Sequence, residues 1–272
     1  MKLTEMYPSP LLRGYVSRYW SWQEEGSLPP LLPGCGGELF FYQSPVDTIQ
    51  SHVNSVTRPA SSLLLPRRAA FHFQLNAPVS FIAVRFRTGA LRHFSPLPET
   101  VMTDTCLSPI DIWGKPVAEL EQRLCEAANT AAQVQLIERF LLQQLALNKK
   151  SSHLWLDEVV NRMYYRHRSV TQGELTAFSG FGARHFQKIF KNHFGIAPKR
   201  FQRIIRFEQL TRHLLLNRQQ DYLSAVLDYG YYDQSHFIKD FKFFIGASPS
   251  GFLQEKNFSS HFYNTPSLRS VG

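Results

Sequence analysis

The sequence predicts an α+β chain of two domains, and three observations carry that expectation. Residues 183–201, ARHFQKIFKNHFGIAPKRF, return 51 positions later as QSHFIKDFKFFIGASPSGF, with the same residue at eight of seventeen positions counted from His185 and His236. Short apolar or alternating segments cut by Pro and Gly fill 38–88, the pattern of a small antiparallel sheet or barrel. The formal charge of +9 is uneven: 14 Lys and Arg face 12 Asp and Glu in 1–152, a balance of +2, whereas 16 face 9 in 153–272, a balance of +7. The expected divisions are an N-terminal, antiparallel β-rich, barrel-like domain with a helical pair in 1–148 (β-rich over 1–112, helices over 116–147), an all-α domain of two helix-turn-helix units in 149–256, and a mobile tail in 257–272.

The N-terminal part begins with Tyr7-Pro8-Ser9-Pro10 and the aromatic-rich LLRGYVSRYWSWQ, and Pro29-Pro30, Pro33-Gly34 and Gly36-Gly37 then read as turns. Strand-like segments follow at 38–43, 61–65, 69–75 and 79–88. In the third, Phe71, Phe73 and Leu75 share one face against His72 and Gln74. In the fourth, Val79, Phe81, Ala83, Arg85 and Arg87 share a face opposite Ile82, Val84 and Phe86. Arg85 and Arg87, with His72, are the candidates for an effector pocket, since guanidinium forks bind carboxylate or phosphate. The alternative puts both arginines on a solvated outer face. His72 and His93 lack partners at ligand spacing, so no metal site is expected. Cys35 in Gly34-Cys35-Gly36-Gly37 has only Glu38 as a nearby charge, and a structural turn explains it better than a reactive thiol.

Beyond the strands the period changes. Val117, Leu120 and Leu124, then Val134, Ile137, Phe140, Leu141 and Leu145, are spaced for two amphipathic helices joined near Asn129-Thr130. Residues 147–152 are polar and suit a domain boundary. Leu156, Val159, Val160, Met163 and Tyr164 predict the next helix, and Thr171 with Glu174 forms a T-x-x-E capping box. Gly180-Phe181-Gly182 is the turn before the first copy of the repeated helix. There Phe186, Ile189, Phe190 and Phe194 make an apolar stripe opposite Arg184, Gln187, Lys188 and Lys191. A long helix from Lys199 to about Leu216 joins the halves, Gly230 repeats the turn, and Asp233 caps the second copy. In that copy Phe237, Phe241, Phe244 and Ile245 back Gln234, Ser235, Ile238, Lys239 and Lys242.

An aromatic face opposite Arg, Lys and Gln suits a helix lying in the DNA major groove, and its duplication favours DNA over an ordinary surface helix. Gly230-Tyr231-Tyr232-Asp233-Gln234-Ser235-His236-Phe237, Phe241-Lys242 and Gly246-Ala247-Ser248-Pro249 resemble the "GF-x-D-x-SHF … FK … G-x-SP" signature of the AraC/XylS family of bacterial transcription regulators. The resemblance covers about 155–256, and RTGAL after SFIAVRF resembles the sensory N-terminal domain of some members. Family members usually have Ser or Thr where Gly182 stands, a weaker cap. The resemblance implies base contacts from Arg184, Gln187, Lys188, Gln234, Ser235 and Lys239. Lys191 and Lys242, near the helix ends, suit phosphates, and His185 and His236 suit packing or capping. It further implies activation through RNA polymerase and dimerisation through 116–147; the residues themselves leave open a monomer whose helices only cover the sheet.

Other classes are weighed on the same residues. Cys35, Cys106 and Cys125 are scattered, as in a reduced cytoplasm, and give no metal framework. MKLTEMYPSP is unlike a secretory leader and no apolar run reaches the ~20 residues of a membrane span, so a cytoplasmic protein is expected. No nucleophile–base pair, paired carboxylates or phosphate loop supports an enzyme with a DNA-targeting module, and no cofactor is expected. A DNA binder governed by a protein partner or by its own abundance is the closer alternative to one governed by a small effector.

Overall fold

The computed structural model describes residues 2–254 apart from 25–27, 29, 45, 51–54, 58, 65–66, 76, 96–103, 149–153 and 218–222. Its N-terminal region is antiparallel β. Strands β1 (Lys2–Met6), β2 (Val16–Glu24), β3 (Glu38–Tyr42), β6 (Ser61–Leu64), β8 (Val79–Phe86) and β9 (Cys106–Leu107) form one sheet in the order β1-β2-β8-β3-β6-β9. β4 (Thr48–Gln50), β5 (Ser55–Thr57) and β7 (His72–Gln74) form a second, ordered β5-β4-β7. The barrel-like expectation is corrected here. A barrel needs an unbroken ring of ladder hydrogen bonds, whereas β1 and β9 lie at opposite ends of the larger sheet and the three-stranded sheet stands apart. β1 and β2 occupy the stretch that reads in sequence as aromatic and turn-rich; the alternation Trp20, Trp22 against Tyr19, Ser21 was the missed signal.

Both faces of the large sheet are covered, because each strand sends alternate residues into a different core. Val79, Phe81 and Ala83 of β8 join Trp20, Trp22 and Phe40 in one cluster, and Ile82, Val84 and Phe86 join Tyr19, Leu39 and Phe41 in the other. The second cluster is closed by α1 (Pro109–Trp113), α2 (Lys115–Glu126) and α3 (Thr130–Leu147). Asn129 caps α3 by accepting from Ala132 N at 2.9 Å. The predicted helical pair thus lays Val117, Leu120, Leu124, Val134, Ile137 and Phe140 on the sheet.

The first cluster runs without a break into the helical C-terminal region. This comprises α4 (Leu154–Tyr165), α5 (Gln172–Ser179), α6 (Ala183–Phe194), α7 (Pro198–Asn217), α8 (Leu223–Asp228), α9 (Gln234–Ile245) and α10 (Pro249–Phe252). α6 and α9 begin and end 51 residues apart, the period of the sequence repeat. Most of the expected linker and all of the expected tail lie outside the described residues. Among the described residues no helix is long and apolar enough to cross a membrane.

Candidate nucleic-acid interface

The first helix-turn-helix unit is assembled from α4, α5 and α6. At the start of α5, Glu174 N donates to Thr171 Oγ1 at 3.1 Å and Thr171 N donates to the Glu174 carboxylate at 2.7 Å, the reciprocal pair that the T-x-x-E spacing predicts. The bonds from the Thr171 backbone and hydroxyl hold the Glu174 carboxyl below its ordinary range. Gly180, at φ 72°, ends α5 in the left-handed region that suits glycine. Phe186, Phe190 and Phe194 of α6 are buried. Phe190 lies between Phe186, Phe194 and Phe201, with ring centroids 4.5–5.9 Å away. Arg184, Gln187, Lys188 and Lys191 are exposed.

The second unit repeats this plan in α8 and α9. Gly230 at φ 79° makes the turn, and the Asp233 carboxylate accepts from His236 N at 2.7 Å to cap α9. Phe237, Phe241 and Phe244 are buried, while Gln234, Ser235, Lys239 and Lys242 are exposed and Ile238 is half-buried. The two repeated histidines pack on aromatic rings from the preceding turn: His185 on Phe181 at 4.9 Å and His236 on Tyr231 at 5.0 Å. All eight side chains expected to meet DNA therefore lie at the surface, on helices whose opposite faces are fixed by aromatic packing. Neither cationic edge is covered by the N-terminal region.

α7 holds the two units together. Gln202 Nε2 donates to Val170 O at 2.7 Å and accepts from Gln172 at its Oε1, which fixes the start of α5. One residue on, Arg203 donates from Nη2 to Asp240 of α9 at 2.7 Å. Arg206 Nη1 donates to Gly230 O at 3.0 Å and stacks over Tyr231. Asp240, 2% exposed, belongs to the buried stripe. Its spacing from Phe237 and Phe244 was legible in the sequence, and a lone acid on an apolar helical stripe was the signal that it needs a cation.

The N-terminal region meets these helices through charge as well as aromatic packing. Arg92 and His93 bind Asp157 of α4 at 2.6 and 3.0 Å. Burial pushes the Asp157 carboxyl up, but the hydrogen bond to His93 and the charge and hydrogen bond of Arg92 outweigh it and hold it below the ordinary range. Gly89 has φ 72°, and a β-carbon there would lie 3.0 Å from the Phe194 ring, so the sheet region approaches α6 closely at that point. Cys35 is buried, with its Sγ 3.7 Å from Phe201 O, as a structural turn requires. Arg85 is neither solvated nor unengaged: it pairs with Glu38 of β3 at 3.4 Å and with Glu208 of α7 at 3.3 Å. Arg87 donates to Arg13 O and to the Tyr165 hydroxyl, at 2.7 and 3.1 Å. Both arginines line a cleft between the large sheet and the helices. His72 does not join them; it is exposed on the smaller sheet. Sequence reasoning missed Arg18, Arg67, Glu208 and Arg212 in the same cleft. Glu208, the one acid of PKRFQRIIRFEQLTRHLLLN, was the available signal.

Comparison with known proteins divides along the same line. A family model described as a helix-turn-helix domain matches residues 175–255, and one described as a domain of unknown function (DUF6597) matches 4–108. An uncharacterized HTH-type transcriptional regulator of Haemophilus influenzae is 35% identical over 77 residues, 28% of this chain and 26% of the relative's own length. Among solved structures, ToxT from Vibrio cholerae covers 86% of this chain and 97% of its own with 10% identity and a TM-score of 0.50. A structure of unsaturated fatty acid-bound ToxT from the same organism gives 13% identity, 86% and 93% coverage and a TM-score of 0.48. At 10% identity the likeness to the first of these is one of fold alone.

Proposed function

We propose, from the AraC-type helix-turn-helix domain that the chain carries at its C-terminal end, that the protein is a sequence-specific transcription regulator that lays α6 and α9 in successive major grooves, ~34 Å apart on one face of a duplex. The single observation that carries this reading is the pair of exposed Arg, Lys and Gln edges on two helices clamped to one α7. A chain with two unlike reading helices recognises a site without two-fold symmetry.

Arg184 and Lys188 are suited to guanine, Gln187 and Gln234 to adenine, and Ser235 and Lys239 complete the base-reading set. Lys191 and Lys242 hold phosphates. The regulator acts as an activator with RNA polymerase in the cytoplasm, and a small effector tunes it. Arg85 and Arg87 line the cleft beside α7, and the effector reading places its ligand there.

Selection of bound fragments from random DNA, followed by footprinting, tests the reading. On the selected site, Gln187→Ala and Lys239→Ala each weaken binding by about 1–3 kcal/mol, while Lys191→Ala weakens selected and random DNA alike. Failure to enrich any sequence at moderate salt would sink the function, and equal losses for all three variants on both DNAs would sink the assignment of roles.

A further inference from the structure

The cleft between the large sheet and α7 has a volume of about 90 Å³. Its walls carry five arginines, Arg18, Arg67, Arg85, Arg87 and Arg212, and one carboxylate, Glu208. Two further carboxylates stand behind the wall, Glu5 against Arg18 at 3.3 Å and Glu38 against Arg85 at 3.4 Å. Among the described residues the five arginines outnumber these three acids. Arg18 registers the crowding: burial, then the like charge of Arg85, brings its guanidinium down to about 10. Buried Thr211, also in the wall, has a hydroxyl without a hydrogen-bond partner.

Glu208 already shows which chemistry the cleft accepts. Its carboxylate takes a hydrogen bond from Arg85 Nη2 at 3.3 Å and one from Cys35 N at 3.4 Å. It therefore holds the place of an anion, delivered by α7 itself. An incoming anion repels Glu208 and competes with it for Arg85. Glu208 stands on α7, the helix to which both helix-turn-helix units are tied, so that competition acts on the element they share.

We propose that this cleft is the binding site of a compact dianion, a small dicarboxylate or a phosphate, which displaces Glu208 from Arg85 and so changes DNA affinity. Size and charge select the class. A cavity of ~150 Å³ holds one benzene ring, so about 90 Å³ fits an acid group and a few further atoms. Planar guanidinium forks favour paired oxyanion oxygens. The regulatory consequence rests on the DNA-binding reading; the ligand site does not.

The test is calorimetric titration of the full-length chain in chloride buffer with succinate and, separately, inorganic phosphate, with acetate as the monoanion control. Saturable heat is expected from at least one dianion and not from acetate, and which dianion binds identifies the source. Glu208→Gln should tighten binding about tenfold and Arg85→Gln should weaken it at least tenfold, within the usual range for coupled sites. If Arg85→Gln does not fold, Arg212→Gln, on the helix wall, replaces it with the same expected loss. No saturable heat from either dianion in wild type and Glu208→Gln overturns the site, as does heat unchanged by the arginine variants. In a parallel DNA-binding titration the active dianion should shift affinity in wild type and not in Arg85→Gln. Binding without that shift overturns the coupling through α7 and leaves the site standing, whereas absence of any DNA binding counts against the proposed function alone.

Discussion

The two helix-turn-helix units share a residue pattern and differ in what secures them. α6 starts at Gly182 with no side-chain cap and depends on a run of phenylalanines, and its unit is tied to the N-terminal region through Asp157. α9 starts at a capped Asp233 and depends on the buried Arg203–Asp240 pair and on Arg206 at its turn. A backbone link from its side to the sheet region is Ala70 N donating to Phe244 O at 3.3 Å. The repeat thus preserves the exposed Arg, Lys and Gln pattern and the aromatic backing, while the polar anchoring of the two copies has diverged.

Four sets of variants test that contrast. The largest effect is expected from Phe190→Ala, which removes a fully buried ring between Phe194 and Phe201 and costs about 3–5 kcal/mol in denaturant unfolding. A loss under ~1 kcal/mol would mean that the first unit is not held by its aromatic stack. Next is Arg203→Ala, which strands the Asp240 charge inside α9. Such losses reach about 3–5 kcal/mol for closed sites, and with Arg203 itself 36% exposed we expect about 2 kcal/mol. Hydrogen exchange should quicken in α9 and leave α6 protected; equal quickening in both would erase the distinction.

The third concerns the Asp157 tie of the first unit. The Asp157 carboxyl is held below its ordinary range, so its contribution is present above the unfolded carboxylate pKa and is lost as pH falls through the lower, folded value. Asp157→Asn should cost about 1–2 kcal/mol near neutrality and flatten the acid limb of stability against pH. An acid limb identical to wild type would remove Asp157 from the junction's energetics. The smallest effects are at the caps: Asp233→Ala should cost about 1 kcal/mol, whereas Gly182→Ser should gain a few tenths. Thermal melts that moved the other way would show that the two caps are already equivalent.

Much of the helical region was legible because its signals are local. A 51-residue repeat, a T-x-x-E box, glycine stops and aromatic spacing each fix an element without reference to distant residues. The sheet was less legible for a physical reason. β8 is buried on both faces, so Val79, Phe81, Ile82, Ala83 and Val84 read as one apolar run and hide which face meets the helices. The opening of the sheet depends on partners of β1 and β9 far along the chain, and short-range pattern does not encode it. The cleft escaped notice likewise: its wall draws Arg18 from β2, Arg67 from a loop, Arg85 from β8 and Arg212 from α7, and no spacing connects them.

α7 is a ruler as well as a bracket. A helix advances ~1.5 Å and turns about 100° with each residue, so one residue inserted between Gln202 and Arg206 would swing the second reading head to another side of the duplex. On the proposed reading of two successive grooves, the target sequence would inherit that stiffness: its two boxes could change letters one at a time, but a base pair added between them would misalign everything beyond it.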